Sequence, residues 1–190
     1  MLKWLKNKFK RNITPIYSDS RSLFFHEDDF CQIQLLPVED FRGTQSELNE
    51  AGSFAHDHFD GVGYDDIYVR RGGESGVGIR KIPIGELAGL LFQTGLPKAE
   101  RVLTGYGVDF RVACKNTIGF GQDYSAIYFA HNAQFVEEIW LTNPFNIDKN
   151  SLIFFLVECF KRWDLFMADW EVRRTIDLST PDAISNYLDE

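Results

Sequence analysis

Histidine, cysteine and methionine are scarce in this 190-residue chain, with four, three and two copies, and their scarcity removes several function classes. Cys31, Cys114 and Cys159 are far apart, odd in number and set among apolar neighbours, with no Cys-x-x-Cys pair or Cys/His ladder. Neither a disulfide framework nor a zinc site of ordinary spacing is expected; buried free thiols in a reducing, cytoplasmic setting are. No apolar run reaches the roughly 18 residues of a membrane-spanning helix, and the basic start lacks the apolar stretch of a signal peptide. Basic residues beyond position 70 form no aromatic-interleaved stripe, so nucleic acid is not an expected ligand. Gly73-Glu-Ser-Gly-Val-Gly78 falls short of a nucleophile elbow, because Val77 stands at the last glycine position. It also lacks the Gly-Lys-Ser/Thr of a phosphate loop and reads as a turn. No cofactor is called for.

What is present is charge of one sign, concentrated. From Glu27 to Asp66 there are eleven acids against Arg42 alone, a net of −10, which leaves +2 for the rest of a chain whose total is −8. A single-sign field accelerates capture of an oppositely charged partner and repels nucleic acid. Aromatics are plentiful at 15%, seventeen of them Phe, which suits a compact core of mixed α and β structure.

Residues 1–12 read as a basic amphipathic helix, with Leu2, Leu5 and Phe9 on one face and Lys or Arg over the rest. Such a helix docks on its own domain or makes a weak membrane-surface contact. Strands are expected at 23–25, 30–36, 65–70, 77–82, 101–103, 110–115, 125–130, 135–141, 165–169 and 173–178. Gly72–Gly76 should close a hairpin between 65–70 and 77–82, and His131-Asn-Ala a second one. Helices are expected from Ser46 to Phe59, from Pro83 to about Gly95, from Leu152 to Trp163, and after Thr180-Pro-Asp. Gly105-Tyr-Gly107 and Gly119-Phe-Gly121 read as turns. Residues 13–190 are therefore expected to form one α+β domain with a largely antiparallel sheet and helices packed on it.

Two constellations carry possible chemistry. His56-Asp-His58-Phe-Asp60 brings two imidazoles and a carboxylate close together, as a metal site requires. It resembles the opening of the metallo-β-lactamase-fold hydrolase motif, although Gly61 stands where that motif has a further His. The resemblance implies a metal-dependent hydrolase using His56, His58 and Asp60; a helix through this segment would instead turn His56 and His58 away from each other. A Cys114/His131/Asp123 nucleophilic set can also be drawn.

The chain as a whole is acidic and Phe- and Trp-rich. It carries His26-Glu-Asp-Asp-Phe-Cys-Gln-Ile-Gln-Leu-Leu-Pro37 and Asp65-Asp-Ile-Tyr-Val-Arg70 and no catalytic motif. In type it resembles the bacterial immunity proteins that neutralise secreted or contact-delivered toxins. That resemblance implies a stoichiometric, non-catalytic inhibitor of a basic toxin domain such as a nuclease. The residues expected to meet the partner are Glu27, Asp28, Asp29, Asp57, Asp60, Asp65 and Asp66, with Tyr64 and Tyr68 as aromatic anchors.

Overall fold

A computed structural model describes residues 22–26, 32–70, 76–106, 111–122 and 124–189. The expected helix at 1–12 and the acids Glu27, Asp28 and Asp29 lie outside them. The β-rich middle of the chain builds a six-stranded sheet. Strands β6 (Ser125–His131) and β7 (Val136–Thr142) form the hairpin foreseen at His131-Asn-Ala. Its turn is closed by the Asn132 side-chain oxygen, which accepts from the backbone N–H groups of Gln134 and Phe135, the local bond that suits Asn to turns. On one side β6 pairs with β5 (Thr117–Gln122); on the other, β7 is followed by β2 (Ile33–Pro37), β8 (Leu165–Asp169) and β9 (Arg174–Ile176), every ladder antiparallel. A second sheet joins β1 (Ser22–His26), β3 (Arg101–Gly105) and β4 (Arg111–Ala113), with β1 and β3 parallel.

Both faces of the large sheet are covered over most of β6 and the second half of β7, which explains the apolar runs 126–130 and 139–141. One face (Ile33, Leu35, Ile127, Phe129, Ile139 and Leu141) meets three helices. These are α2 (Ile84–Gln93), α3 (Lys149–Trp163) and α4 (Pro181–Leu188), which contribute Leu87, Leu90, Phe155, Leu156, Cys159, Ile184 and Tyr187. Local chemistry sets their ends. Pro83 precedes α2, the Asp148 carboxylate caps α3 by accepting from the Ser151 N–H at 2.9 Å, and Pro181 opens α4. On the other face Tyr128, Trp140 and Ala126 meet Leu23, Phe25 and Val102 of the small sheet. Each large apolar side chain buried in this way contributes roughly 1.5–3 kcal/mol.

Helix α1 (Phe41–Asp57) lies toward the far edge of that second face, with Phe41 in edge contact with Phe166 and Gln45 Oε1 accepting from Thr175 Oγ1 at 3.0 Å. The sequence placed its start at Ser46, five residues late. Ser46 caps nothing; its hydroxyl donates to Glu50 one turn on, and tertiary contacts of Phe41 and Gln45 hold the extra turn.

Two further expectations are corrected. Residues 65–70 and 77–82 form no strands and no hairpin. In the first, burial alternates only over 67–70, where Tyr68 packs on Phe54 and Arg70 stacks over Trp170, so the segment is held by side chains without a ladder. In the second, Val77–Arg80 is a 3-10 turn ended by Lys81 in the left-handed region (φ 48°). Gly119 and Gly121 belong to β5 and not to a turn. A Cβ on Gly119 would stand 2.8 Å from Leu23 Cδ1, 2.9 Å from Val102 Cγ2 and 3.0 Å from Tyr128 Cδ1, so glycine here leaves room for the small sheet to pack on β5. With those corrections the described residues form a single α+β domain with largely antiparallel sheets.

Candidate functional site

The acidic stretch occupies α1 and the irregular segment that follows it. Helix α1 ends at Asp57 and is capped by His58, whose N–H donates to the Phe54 carbonyl. The His58 ring stacks on Phe54 (centroids 4.0 Å apart), and its Nδ1 lies 2.8 Å from Asp65 Oδ1. Asp60 Oδ1 accepts from the backbone N–H groups of Val62 (2.9 Å) and Gly63 (2.8 Å), and those bonds hold its carboxyl below the usual carboxylate range. Asp66 Oδ1 accepts from the Ile67 N–H. A bridge between Phe59 and Tyr64, with their rings 5.3 Å apart, closes the loop between them.

This framework turns both charge and apolar surface outward. Asp57, Asp60, Asp65 and Asp66 are exposed. So are Phe59, Val62, Tyr64, Ile67 and Val69, with Val62 96%, Ile67 82% and Val69 78% accessible. Tyr68 is half-buried against Phe54, as its place in an alternating segment suggested. Glu39, also within the acidic stretch, is engaged elsewhere. The Arg80 guanidinium forms a two-bond pair with its carboxylate and holds it below the usual range.

His56, His58 and Asp60 are not brought together. His56 lines an open groove with Asp57, Val172 and Arg173, while His58 faces Phe54 and Asp65, and Asp60 is bonded into its own turn. Among the described residues no three His, Cys, Asp or Glu side chains are grouped to hold a metal ion. The Cys114 set fares no better. Burial pushes the Cys114 thiol up to about 11, away from the thiolate a nucleophile needs, and Asp123 lies outside the described residues.

A feature the sequence did not disclose is a cleft of about 540 Å³ beside the loop. Strand β2 pairs with β7 only from Ile33 to Leu35 and then continues beside β8 alone, so β2 and β7 part. Val77 and Glu137 line the gap on one side, Gln34, Thr44 and Glu47 on another, and Tyr68 and Trp170 complete it. Arg70 lies in it with its guanidinium 4.6 Å from the Trp170 ring centroid, and Gln34 Oε1 accepts from Trp170 Nε1 at 3.1 Å. Consecutive acids at Glu137 and Glu138 inside an otherwise apolar strand were the one sequence signal for it. Among the described residues no helix is long and apolar enough to cross a membrane.

Compared with known proteins, the chain matches no family model, no curated protein and no solved structure. Its own residues carry the functional reading.

Proposed function

We propose that the chain is a non-catalytic binding protein of the cytoplasm, of the immunity type, that neutralises a basic toxin domain by covering it. The observation that carries this reading is the segment 57–69, where exposed aspartates alternate with exposed Phe59, Val62, Tyr64, Ile67 and Val69. Isolated exposed apolar residues are ordinary, but five within eleven positions, framed by carboxylates, have the make-up of a protein interface. The carboxylates steer a basic partner into encounter, and Tyr64 with its apolar neighbours supplies area to desolvate on docking. Asp60 and Asp65 are tied down by hydrogen bonds, so little side-chain entropy remains for the partner to quench at those two positions. Glu27, Asp28 and Asp29 extend the same charge along the chain. The hydrolase alternative would need His56, His58 and Asp60 to converge, and no observation favours it.

The test is capture from a lysate of the organism that encodes the chain, followed by mass spectrometry. A basic protein bound one-to-one and released by raised salt is expected. Absence of any stoichiometric partner, or an acidic partner indifferent to salt, would overturn the reading.

A further inference from the structure

A second cavity opens where the two sheets splay apart, and Glu138 lines both it and the cleft beside the exposed loop. At one end of their interface the sheets touch through Leu23, Val102, Gly119 and Tyr128; at the other they enclose a pocket of about 410 Å³. That volume lies within the range of small-molecule sites, roughly 300–1,000 Å³. Phe25 and Thr104, cross-strand partners in the small sheet, form one wall together with Cys114. Trp140, Ala130 and Glu138 of the large sheet form the other.

Three features give the pocket a chemical preference. Its body is apolar and aromatic, with the Phe25 and Trp140 rings edge-to-face at 6.4 Å. Its polar groups are unequal. The Thr117 hydroxyl already donates to the Lys115 carbonyl, whereas the Thr104 hydroxyl is buried and has no hydrogen-bond partner among the described residues. Neither hydroxyl is open to a ligand: the first is engaged and the second is sealed from the cavity by its burial. Finally, the lining holds one carboxylate and no Lys, Arg or His. Glu138 stands exposed at the rim. Desolvation and then the charge of Glu137 push its carboxyl above the usual range, and no described cation relieves it. The Cys114 thiol stays protonated and adds no charge. Phosphates and carboxylates are disfavoured by such a lining, and a cation with an apolar body is favoured.

We propose that this inter-sheet pocket binds a small amphipathic amine, its aromatic or branched apolar body against Phe25 and Trp140 and its protonated nitrogen beside the Glu138 carboxylate at the rim. None of its lining residues belongs to the 57–69 loop, and Glu138 is the one residue it shares with the cleft beside that loop.

The test uses the full chain and two probes of nearly the same shape, 2-phenylethylamine and the uncharged 2-phenylethanol. Binding is followed by the Trp140 indole N–H resonance and by the rate at which iodoacetamide alkylates Cys114, read at peptide level. Saturable binding of the amine is expected, at least tenfold tighter than the alcohol, with slowed alkylation of Cys114. Glu138→Gln should remove the preference for the amine. Equal binding of the two probes, or no saturable shift of Trp140 with millimolar amine, would overturn the proposal. The comparison of the two probes on the unchanged chain does not depend on any variant folding.

Discussion

Three glycine-to-alanine substitutions separate the forces that hold the sheets together. At Gly121 an added Cβ would stand 2.2 Å from the Ser125 carbonyl oxygen and 2.6 Å from Ala126 Cα, and the backbone there has φ +150°. The obstacles are backbone, so no rotamer change relieves them and the β5–β6 hairpin must open. The expected loss is about 3 kcal/mol or more, combining overpacking with a strained backbone. At Gly119 the obstacles are Leu23 Cδ1, Val102 Cγ2 and the Tyr128 ring. Two of these are side-chain ends, but all three residues are buried and have little room to retreat. The expected loss is about 1–3 kcal/mol. At Gly43, within the first turn of α1, nothing lies within 4 Å of an added Cβ. Alanine should stabilise there by about 0.5–1 kcal/mol, because it restricts the unfolded chain and suits a helix. Urea denaturation of the three variants, with unchanged m-values, measures the series. Losses under about 0.5 kcal/mol at both Gly119 and Gly121 would refute the sheet packing described above, and a loss at Gly43 would refute the open helical surface described for it.

Other outcomes follow from buried and capped polar groups. Asp169, only 2% accessible, accepts from the Tyr187 hydroxyl at 2.6 Å and from the N–H groups of Glu171 and Val172. Tyr187→Phe should therefore cost about 1–3 kcal/mol in denaturation, because a buried charged acceptor loses a donor. Asp60, Asp148, Glu39 and Glu158 all titrate below their usual range in the folded chain: Asp60 and Asp148 through backbone N–H groups, Glu39 through Arg80, and Glu158 through Lys161 and Arg162. Their contribution is present above the ordinary carboxylate range and lost as pH falls through the depressed values, so melting temperatures should drop in acid below about pH 4. Glu138 has the opposite sign, its folded value being raised. Glu138→Gln should raise the melting temperature at neutral pH and leave it unchanged in acid, where the wild-type carboxyl is already protonated.

Much of the architecture was legible where local signals and tertiary contacts agree. The β6–β7 hairpin carries its own Asn132 turn, α3 a long apolar run whose start at Lys149 lies three residues before the expected Leu152, and α4 a Pro at its first position. It was illegible where a distant partner decides. Residues 67–70 alternate like a strand, yet Phe54 and Trp170 hold their inward side chains, a contact no local pattern encodes. The β5 glycines look like turn formers, and only the close approach of Leu23 and Val102 to Gly119 and of the Ser125 carbonyl and Ala126 to Gly121 explains them. The same division applies to the sites. The aspartates of 57–66 announced themselves by charge. The cleft beside them arises because β2 leaves β7 after Leu35, and the inter-sheet pocket because two sheets diverge; both are facts of topology.

The central claim, that exposed aspartates draw in a basic partner, is tested most directly by association kinetics with the captured partner. Rates for the wild-type chain and for a variant carrying Asp57→Asn, Asp60→Asn, Asp65→Asn and Asp66→Asn are compared across ionic strength. The account predicts an association rate reduced about tenfold or more in the variant at low salt, with a shallower salt dependence and a dissociation rate changed much less. Equal association rates and equal salt slopes for the two chains would contradict it.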